Sequence, residues 1–173
     1  IGVVGQVKAG KSSFLNSLMF AGEDVLPKAS TPMTAGLTIL EYGENNKFEV
    51  EYYTTNEWNE FVELDNIYRK IETEVRSNKD FYGAPEIFIQ KEIQNRTTEN
   101  QQSAHELVIR CGNHAKHKVG KGVESVPFTG ISGLQQKLNE YVGADGQYTS
   151  VVKSLYIYLN DERLKDVRIV DTP

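Results

Sequence analysis

The sequence predicts an α/β domain of three layers, a mixed and mainly parallel sheet between helices, with a helical insertion in its middle. Three observations predict it. A short β-branched run at residues 1–4 leads through a glycine loop into apolar positions at helical spacing. Strand-like runs recur in two groups that stand far apart, at residues 37–53 and 155–171. Between the two groups, residues 54–146 read mostly as helix.

The elements follow in order. The run from Ile1 to Val4 ends at Gly5, as a buried parallel strand entering a loop does. From Ser12, apolar Phe14, Leu15, Leu18 and Met19 repeat at helical spacing. Residues 21–36 are polar and rich in Pro and Thr, without a period, and read as a long loop. Two strands, residues 37–42 and 48–53, flank a turn at Gly43-Glu44-Asn45-Asn46. In the second, Phe48, Val50 and Tyr52 alternate with Glu49, Glu51 and Tyr53, which predicts an antiparallel or edge strand with one wet face.

Thr54 with Glu57 forms a capping-box signature, and Trp58, Phe61, Tyr68, Ile71 and Val75 then fall on one face of a long helix. Gly83-Ala84-Pro85 breaks it. Residues 90–102, rich in Gln, Glu and Asn, fit a solvated helix or a mobile loop. A short helix is expected through Leu134, Leu138, Tyr141 and Val142, between Gly133 and Gly143. Residues 155–159 and 167–171 read as strands around the charged turn Asn160-Asp161-Glu162-Arg163, with Tyr156 and Tyr158 on the second sheet face.

Composition narrows the function classes. With 39% apolar and 25% charged residues, the 173-residue chain is ordinary for one globular domain. A formal net charge of -5 argues against nucleic acid as a partner and gives no basic face for a membrane. One cysteine, Cys111, permits no internal disulfide and fits a reducing cytosol. No apolar run reaches the ~20 residues of a membrane-spanning helix, and no signal-type leader is evident. An opening Ile within an apolar run and a final Asp171-Thr172-Pro173 suggest a piece of a longer chain. His105, His114 and His117 match no strong zinc spacing and read as a solvated basic segment. Asn95-Arg96-Thr97 matches a glycosylation acceptor that a cytosolic chain would not use.

The chemistry is concentrated near the start. Gly5, Gln6, Val7, Lys8, Ala9, Gly10, Lys11 and Ser12 satisfy G-x-x-x-x-G-K-[ST] at every fixed position. Backbone N–H groups must curl around phosphate oxygens, and side chains at Gly5 and Gly10 would obstruct that approach. Lys11 is placed to reach the β- and γ-phosphates, Ser12 to offer its hydroxyl to Mg²⁺, and the helix N-terminus to face the anion. The fold expected is therefore that of a phosphate-loop NTPase. Asp171, closing an apolar strand, is the matching candidate to hold Mg²⁺ through water; the plain alternative is an Asp that caps a strand end.

Three blocks, VVGQVKAGKSSFLNSL, LPKASTPMTAGLTILEYG and SLYIYLNDERLKDVRIVDTP, resemble bacterial dynamin-like proteins, large GTPases related to dynamin. The resemblance is good over residues 1–53 and 149–173 and loose between. It implies a GTPase fold in which residues 1–53 carry the phosphate loop, switch I and first strands. Residues 54–146 would be a helical insertion, and 147–173 the strands leading to the G3 motif. In this family a doubled serine, here Ser12 and Ser13, is usual after the lysine. Thr34 matches the switch I threonine over the γ-phosphate and Mg²⁺, with Thr31 in reserve, and Asp-Thr-Pro matches Asp-Xaa-Pro-Gly. The guanine-reading motif would lie beyond residue 173. Where dynamins proper carry Ser, this chain has Lys8, which resembles the internal Arg finger of guanylate-binding proteins; a solvated lysine is the alternative.

What the resemblance implies is hydrolysis of the β–γ phosphoanhydride of GTP by water, with Mg²⁺ as cofactor. Lys8, Lys11 and Thr34 would be catalytic. Residues 5–13 would bind GTP or GDP, and Ser12, Thr34 and Asp171 would hold the metal. It also implies homo- or hetero-oligomerisation through the GTPase domain and membrane remodelling through regions outside this segment. The full-length protein would be cytoplasmic or peripheral to a membrane. A nucleotide-gated interaction module with little hydrolysis, and an ATPase or small-molecule kinase on the same loop, remain open readings. The long insertion fits an interaction device or a family-specific decoration.

Overall fold

A computed structural model describes residues 2–3, 11–26 and 37–171. In chain order its principal elements are β1 (Gly2–Val3), α1 (Lys11–Phe20), β2 (Leu37–Tyr42), β3 (Lys47–Tyr52), α2 (Thr55–Ser77), α3 (Glu86–Arg96) and α4 (Glu99–Arg110). There follow α5 (Asn113–Lys116), β4 (Val123–Pro127), α6 (Gly130–Val142), β5 (Val152–Leu159) and β6 (Ile169–Asp171). They form two compact units, one of Ile1–Thr54 with Cys111–Pro173 and one of Thr55–Arg110. Among the described residues no helix is long and apolar enough to cross a membrane.

The first unit holds a six-stranded sheet in the order β1-β6-β2-β5-β3-β4. The sheet is mixed, as expected, yet it is not mainly parallel. β1–β6 and β2–β5 are parallel, whereas β2–β6, β3–β4 and β3–β5 are antiparallel. One reason lies in the strand order: β3 follows β2 through the short Gly43–Asn46 turn but pairs with β5, which lies between them. Gly43 is required there, since a Cβ on it would stand 2.7 Å from the Cβ of Tyr158.

Alternation builds the core. Phe48, Val50 and Tyr52 of β3 are buried, with Lys47, Glu49 and Glu51 half-buried on the other face. β3 is antiparallel to both neighbours and interior. On β5, Leu155 and Ile157 point inward while Tyr156 and Tyr158 lie on the second face. Leu134, Leu138 and Tyr141 of α6 recur at i, i+4 and i+7 and are buried, and Tyr141 meets Phe48 edge-on at 5.5 Å. Each fully buried Leu stabilises by about 2 kcal/mol. α6 starts at Gly130, with φ +68, and Gly133 lies inside it.

Residues 54–146 are not continuously helical: β4 lies among them, as an edge strand of the sheet. Its short VESVP run ends on a proline, which an edge tolerates because that residue needs no ladder donor. Beside it the chain is pinned at both crossings, Gly120 N–H donating to Tyr53 O at 2.9 Å and Tyr52 N–H to Gly122 O at 3.0 Å. Glu124 Oε2 accepts from Lys118 Nζ and from Tyr52 Oη, each at 2.6 Å. The Lys118 ammonium also lies 5.6 Å from the Tyr52 ring centroid and 5.4 Å from that of Tyr148.

The second unit packs α2 against α3 and α4. Tyr68, Val75 and Ile93 form its buried centre, with Ile71, Phe81 and Ile89 around them. Residues 90–102, readable as helix or loop, form the end of α3 and the start of α4. A reciprocal cap separates them: Thr98 N–H donates to Gln101 Oε1 at 2.9 Å and Gln101 N–H to Thr98 Oγ1 at 3.3 Å. His105 is not part of a solvated basic segment. Its Nδ1 donates to Oδ1 of the buried Asp65 at 2.7 Å, and its ring stacks on Tyr68 with centroids 4.0 Å apart.

Candidate nucleotide-binding site

Sheet topology assembles the site. β6 lies between β1 and β2. It runs parallel to β1, with Val3 opposite Asp171, so the chain leaves both strands at the same end. It runs antiparallel to β2, with Thr38 opposite Asp171, so β2 begins at that end. Residues 4–10, which link β1 to α1, and residues 27–36, which lead into β2, thus join the sheet on either side of Asp171. Thr34 precedes Leu37 by three residues.

Lys11 and Ser12 open α1, where the first N–H groups lack intrahelical acceptors and the helix dipole favours an anion. The helix is held from its far side. Leu15, Asn16, Met19 and Phe20 are buried, while Phe14 and Leu18 are exposed. The buried stripe is therefore rotated from the one that Phe14, Leu15, Leu18 and Met19 predict, with Asn16 inside it. α1 ends where Ala21 (φ 53) and Gly22 (φ 88) turn left-handed, and Gly22 N–H donates to Asn16 O at 3.0 Å.

Two side chains that sequence reasoning did not single out fix this end. Arg163, in the β5–β6 connection, donates from Nη1 to Leu18 O at 2.9 Å and from Nη2 to Met19 O at 3.3 Å, satisfying last-turn carbonyls. Asp161 steadies the guanidinium at 2.6 Å; in turn, the hydrogen bond from Arg163 holds the Asp161 carboxyl below its usual range. Asn16 pairs with the backbone of Leu26 through both its polar atoms. Its signal in the sequence is an amide among apolar neighbours on a helix, where Asn is a weak helix former.

Of the predicted site residues, Gly5, Gln6, Val7, Lys8, Ala9, Gly10 and Thr34 lie outside the described residues. Lys11 and Ser12 occupy the first turn of α1, Ser13 follows with an exposed side chain, and Asp171 ends β6. The donor set fits Mg²⁺ chemically. A hydroxyl and a carboxylate are hard oxygen ligands, and the register sets Asp171 opposite the strand that precedes the phosphate loop.

The model of the dynamin family matches residues 1–173, the whole chain. The chain belongs to the dynamin family. It is 38% identical over 63 residues to dynamin-like protein 1 of Campylobacter jejuni subsp. jejuni serotype O:23/36 (strain 81-176), a match covering 36% of this chain and 8% of that protein. It is 46% identical over 50 residues to a bacterial dynamin-like protein of Nostoc punctiforme (strain ATCC 29133 / PCC 73102), covering 29% and 7%. Two solved structures, both described as an oligomerised bacterial dynamin pair that provides a mechanism for long-range sensing and tethering of membranes, share its fold. They superpose with TM-scores of 0.54 and 0.52, at 22% and 18% identity, over 99% of this dynamin-family chain. That is 18% and 21% of their own lengths.

Proposed function

We propose that this dynamin-family chain binds GTP with Mg²⁺ and hydrolyses it, within a larger protein that self-associates and acts on membranes. The observation that carries the reading is the side-by-side register of β1, β6 and β2, with Val3 and Thr38 both opposite Asp171. It joins the phosphate-loop sequence, the carboxylate and the threonine-bearing segment to one end of one sheet. Backbone amides of residues 5–13 and the Lys11 ammonium would cradle the phosphates. Ser12 and, through water, Asp171 would hold Mg²⁺, and Thr34 would meet the γ-phosphate. Bound Mg²⁺ would neutralise charge on the transferring phosphoryl oxygens. Lys8 would add positive charge from within the subunit as the bond to the leaving group breaks. Self-association and membrane tethering are supported by the two structural neighbours, an oligomerised bacterial dynamin pair that senses and tethers membranes; membrane contact would come from regions outside residues 1–173, in the cytoplasm.

Calorimetry and single-turnover hydrolysis on the full-length protein test the reading. Wild type is expected to bind GTP in a Mg²⁺-dependent way and in preference to ATP, with hydrolysis rising with protein concentration. Lys11→Ala should abolish binding, Asp171→Ala should remove its Mg²⁺ dependence, and Lys8→Ala should slow turnover while leaving binding intact. Absence of Mg²⁺-dependent binding of any nucleoside triphosphate would overturn the proposal. Binding without hydrolysis at any concentration would instead make it a nucleotide-gated interaction module, and equal or tighter ATP binding an ATPase.

A further inference from the structure

β4 closes the sheet on one side, and among the described residues no strand pairs with its outer edge. The register fixes which backbone groups that edge presents. Tyr52 N–H donates to Gly122 O at 3.0 Å, and the pairing continues through Val50 with Glu124 and Phe48 with Val126. Bonded positions alternate along an antiparallel ladder, so Glu124 and Val126 turn their N–H and C=O to β3, while Val123, Ser125 and Pro127 turn theirs to the open edge. The edge thus offers N–H donors at Val123 and Ser125 and carbonyl acceptors at all three positions, Pro127 having no N–H. Val123 is also 60% exposed, apolar surface that a further strand would cover.

The end at which β4 begins is basic. Residues 111–123 carry Lys116, Lys118 and Lys121 and no Asp or Glu, in a chain of net charge -5. Lys118 is engaged by Glu124, which accepts from Tyr52 as well. Lys116 and Lys121 are exposed and, among the described residues, form no ion pair. Gly120 and Gly122 are both left-handed, with φ 77 and 74, and a Cβ on Gly122 would meet nothing within 4 Å, so the way from Val123 to Lys121 is open. We propose that the β4 edge docks an extended segment of a partner protein, added antiparallel to β4 and carrying carboxylates at its C-terminal end. Antiparallel addition takes that end past Val123 to Lys121 and Lys116. Backbone pairing supplies the affinity, and charge selects the direction. The β4 strand of a second copy fits less well: laid antiparallel, it brings Phe128 and Thr129 to this end, neither of them acidic.

The probe is a synthetic peptide of alternating valine and threonine that ends in two glutamates and a free carboxylate. Its control has the glutamates moved to the N-terminal end and an amidated C-terminus, and both are titrated into the full-length protein by fluorescence anisotropy. The first should bind about five-fold tighter, as for two exposed ion pairs, and should lose that preference in the Lys116→Glu, Lys121→Glu double variant. Ser125→Pro removes an edge donor while leaving the bonds to β3 alone, and should weaken both peptides about ten-fold. In wild type the first peptide should slow amide exchange at Val123 and Ser125, a readout that needs no variant to fold. Failure of wild type to bind either peptide, equal affinity for the two, or Val123 and Ser125 left unprotected would each overturn the inference. So would undiminished binding by a folded Ser125→Pro protein, or self-association that Ser125→Pro abolishes, which would give the edge to a second copy.

Discussion

The Asp65–His105 pair offers a sharp test of what holds the second unit together. Asp65, 3% exposed on α2, accepts from Arg69 Nε one turn along at 2.9 Å and from His105 Nδ1 on α4 at 2.7 Å. The Arg69 side chain is 51% exposed, so its pairing contributes no more than a few tenths of a kcal/mol. The bond from His105 lies inside, and a hydrogen bond to a charged group contributes about 1.5–3 kcal/mol. The stack on Tyr68, with ring planes 16° apart, adds on the order of 1 kcal/mol. His105→Ala should therefore destabilise the packing of α2 on α4 by about 3 kcal/mol, and Asp65→Asn by about 1–2 kcal/mol. Because Asn keeps an accepting oxygen, Asp65→Asn weakens the bond that His105→Ala removes, and the double variant should cost less than the sum of the two by about 1 kcal/mol. Amide hydrogen exchange along α2 and α4 at constant neutral pH reads these free energies locally, without requiring the two units to unfold together. Single-variant costs adding to within about 0.3 kcal/mol would refute the assignment of the bond as the link between the helices.

Two further outcomes are expected. Hydrogen bonds from Lys118 and then Tyr52 hold the Glu124 carboxyl below its usual range, and burial pushes the Tyr52 phenol up. A lowered carboxyl stabilises the fold above its unfolded value, about 4.3, and that contribution is lost as pH falls through the folded one; a raised phenol contributes below about 10 and is lost as pH rises beyond it. Thermal melts across pH should thus show Glu124→Gln flattening the acid limb and Tyr52→Phe the alkaline limb, and an acid limb unchanged by Glu124→Gln would contradict the link. Arg163→Ala should speed amide exchange at the end of α1, with Arg163→Lys restoring only part, because an ammonium cannot span the Leu18 and Met19 carbonyls as a guanidinium does; equal protection in all three proteins would exclude the cap.

The sequence carried some of this plainly. β2 coincides with the apolar run at residues 37–42, and β3 shows the expected alternation of buried Phe48, Val50 and Tyr52. The phosphate loop is readable because its chemistry demands fixed glycines, a lysine and a hydroxyl at set intervals, and α1 begins at that lysine. Other parts depend on partners that no local pattern reveals. β4 escapes notice because Val123, Ser125 and Pro127 face outward and only Glu124 and Val126 are half-buried. Thr98 and Gln101 spell a helix start, but the Gln- and Glu-rich residues around them lack a clear apolar stripe. The buried stripe of α1 is hidden in the sequence because hydrophobicity alone favours Phe14 over Asn16, whereas the structure buries the residue that can bond Leu26. Likewise, the antiparallel pairings follow from β5 entering between β2 and β3 and β6 between β1 and β2, long-range choices invisible in any window of residues.

That same strand order has a consequence for biosynthesis. Among the described elements, the strand that precedes residues 4–10, β1, is made before all others and its neighbour β6 after them. At roughly 5–20 residues per second, Gly2 and Val3 wait on the order of ten seconds or more before their ladder can form. Until the ribosome has released Asp171, the nascent chain can fold its helical hairpins and the β3–β4 ribbon, but the site proposed for the nucleotide would be incomplete. On the proposed reading, ligand capture would be reserved for a chain already translated through Asp171, the carboxylate proposed to hold Mg²⁺.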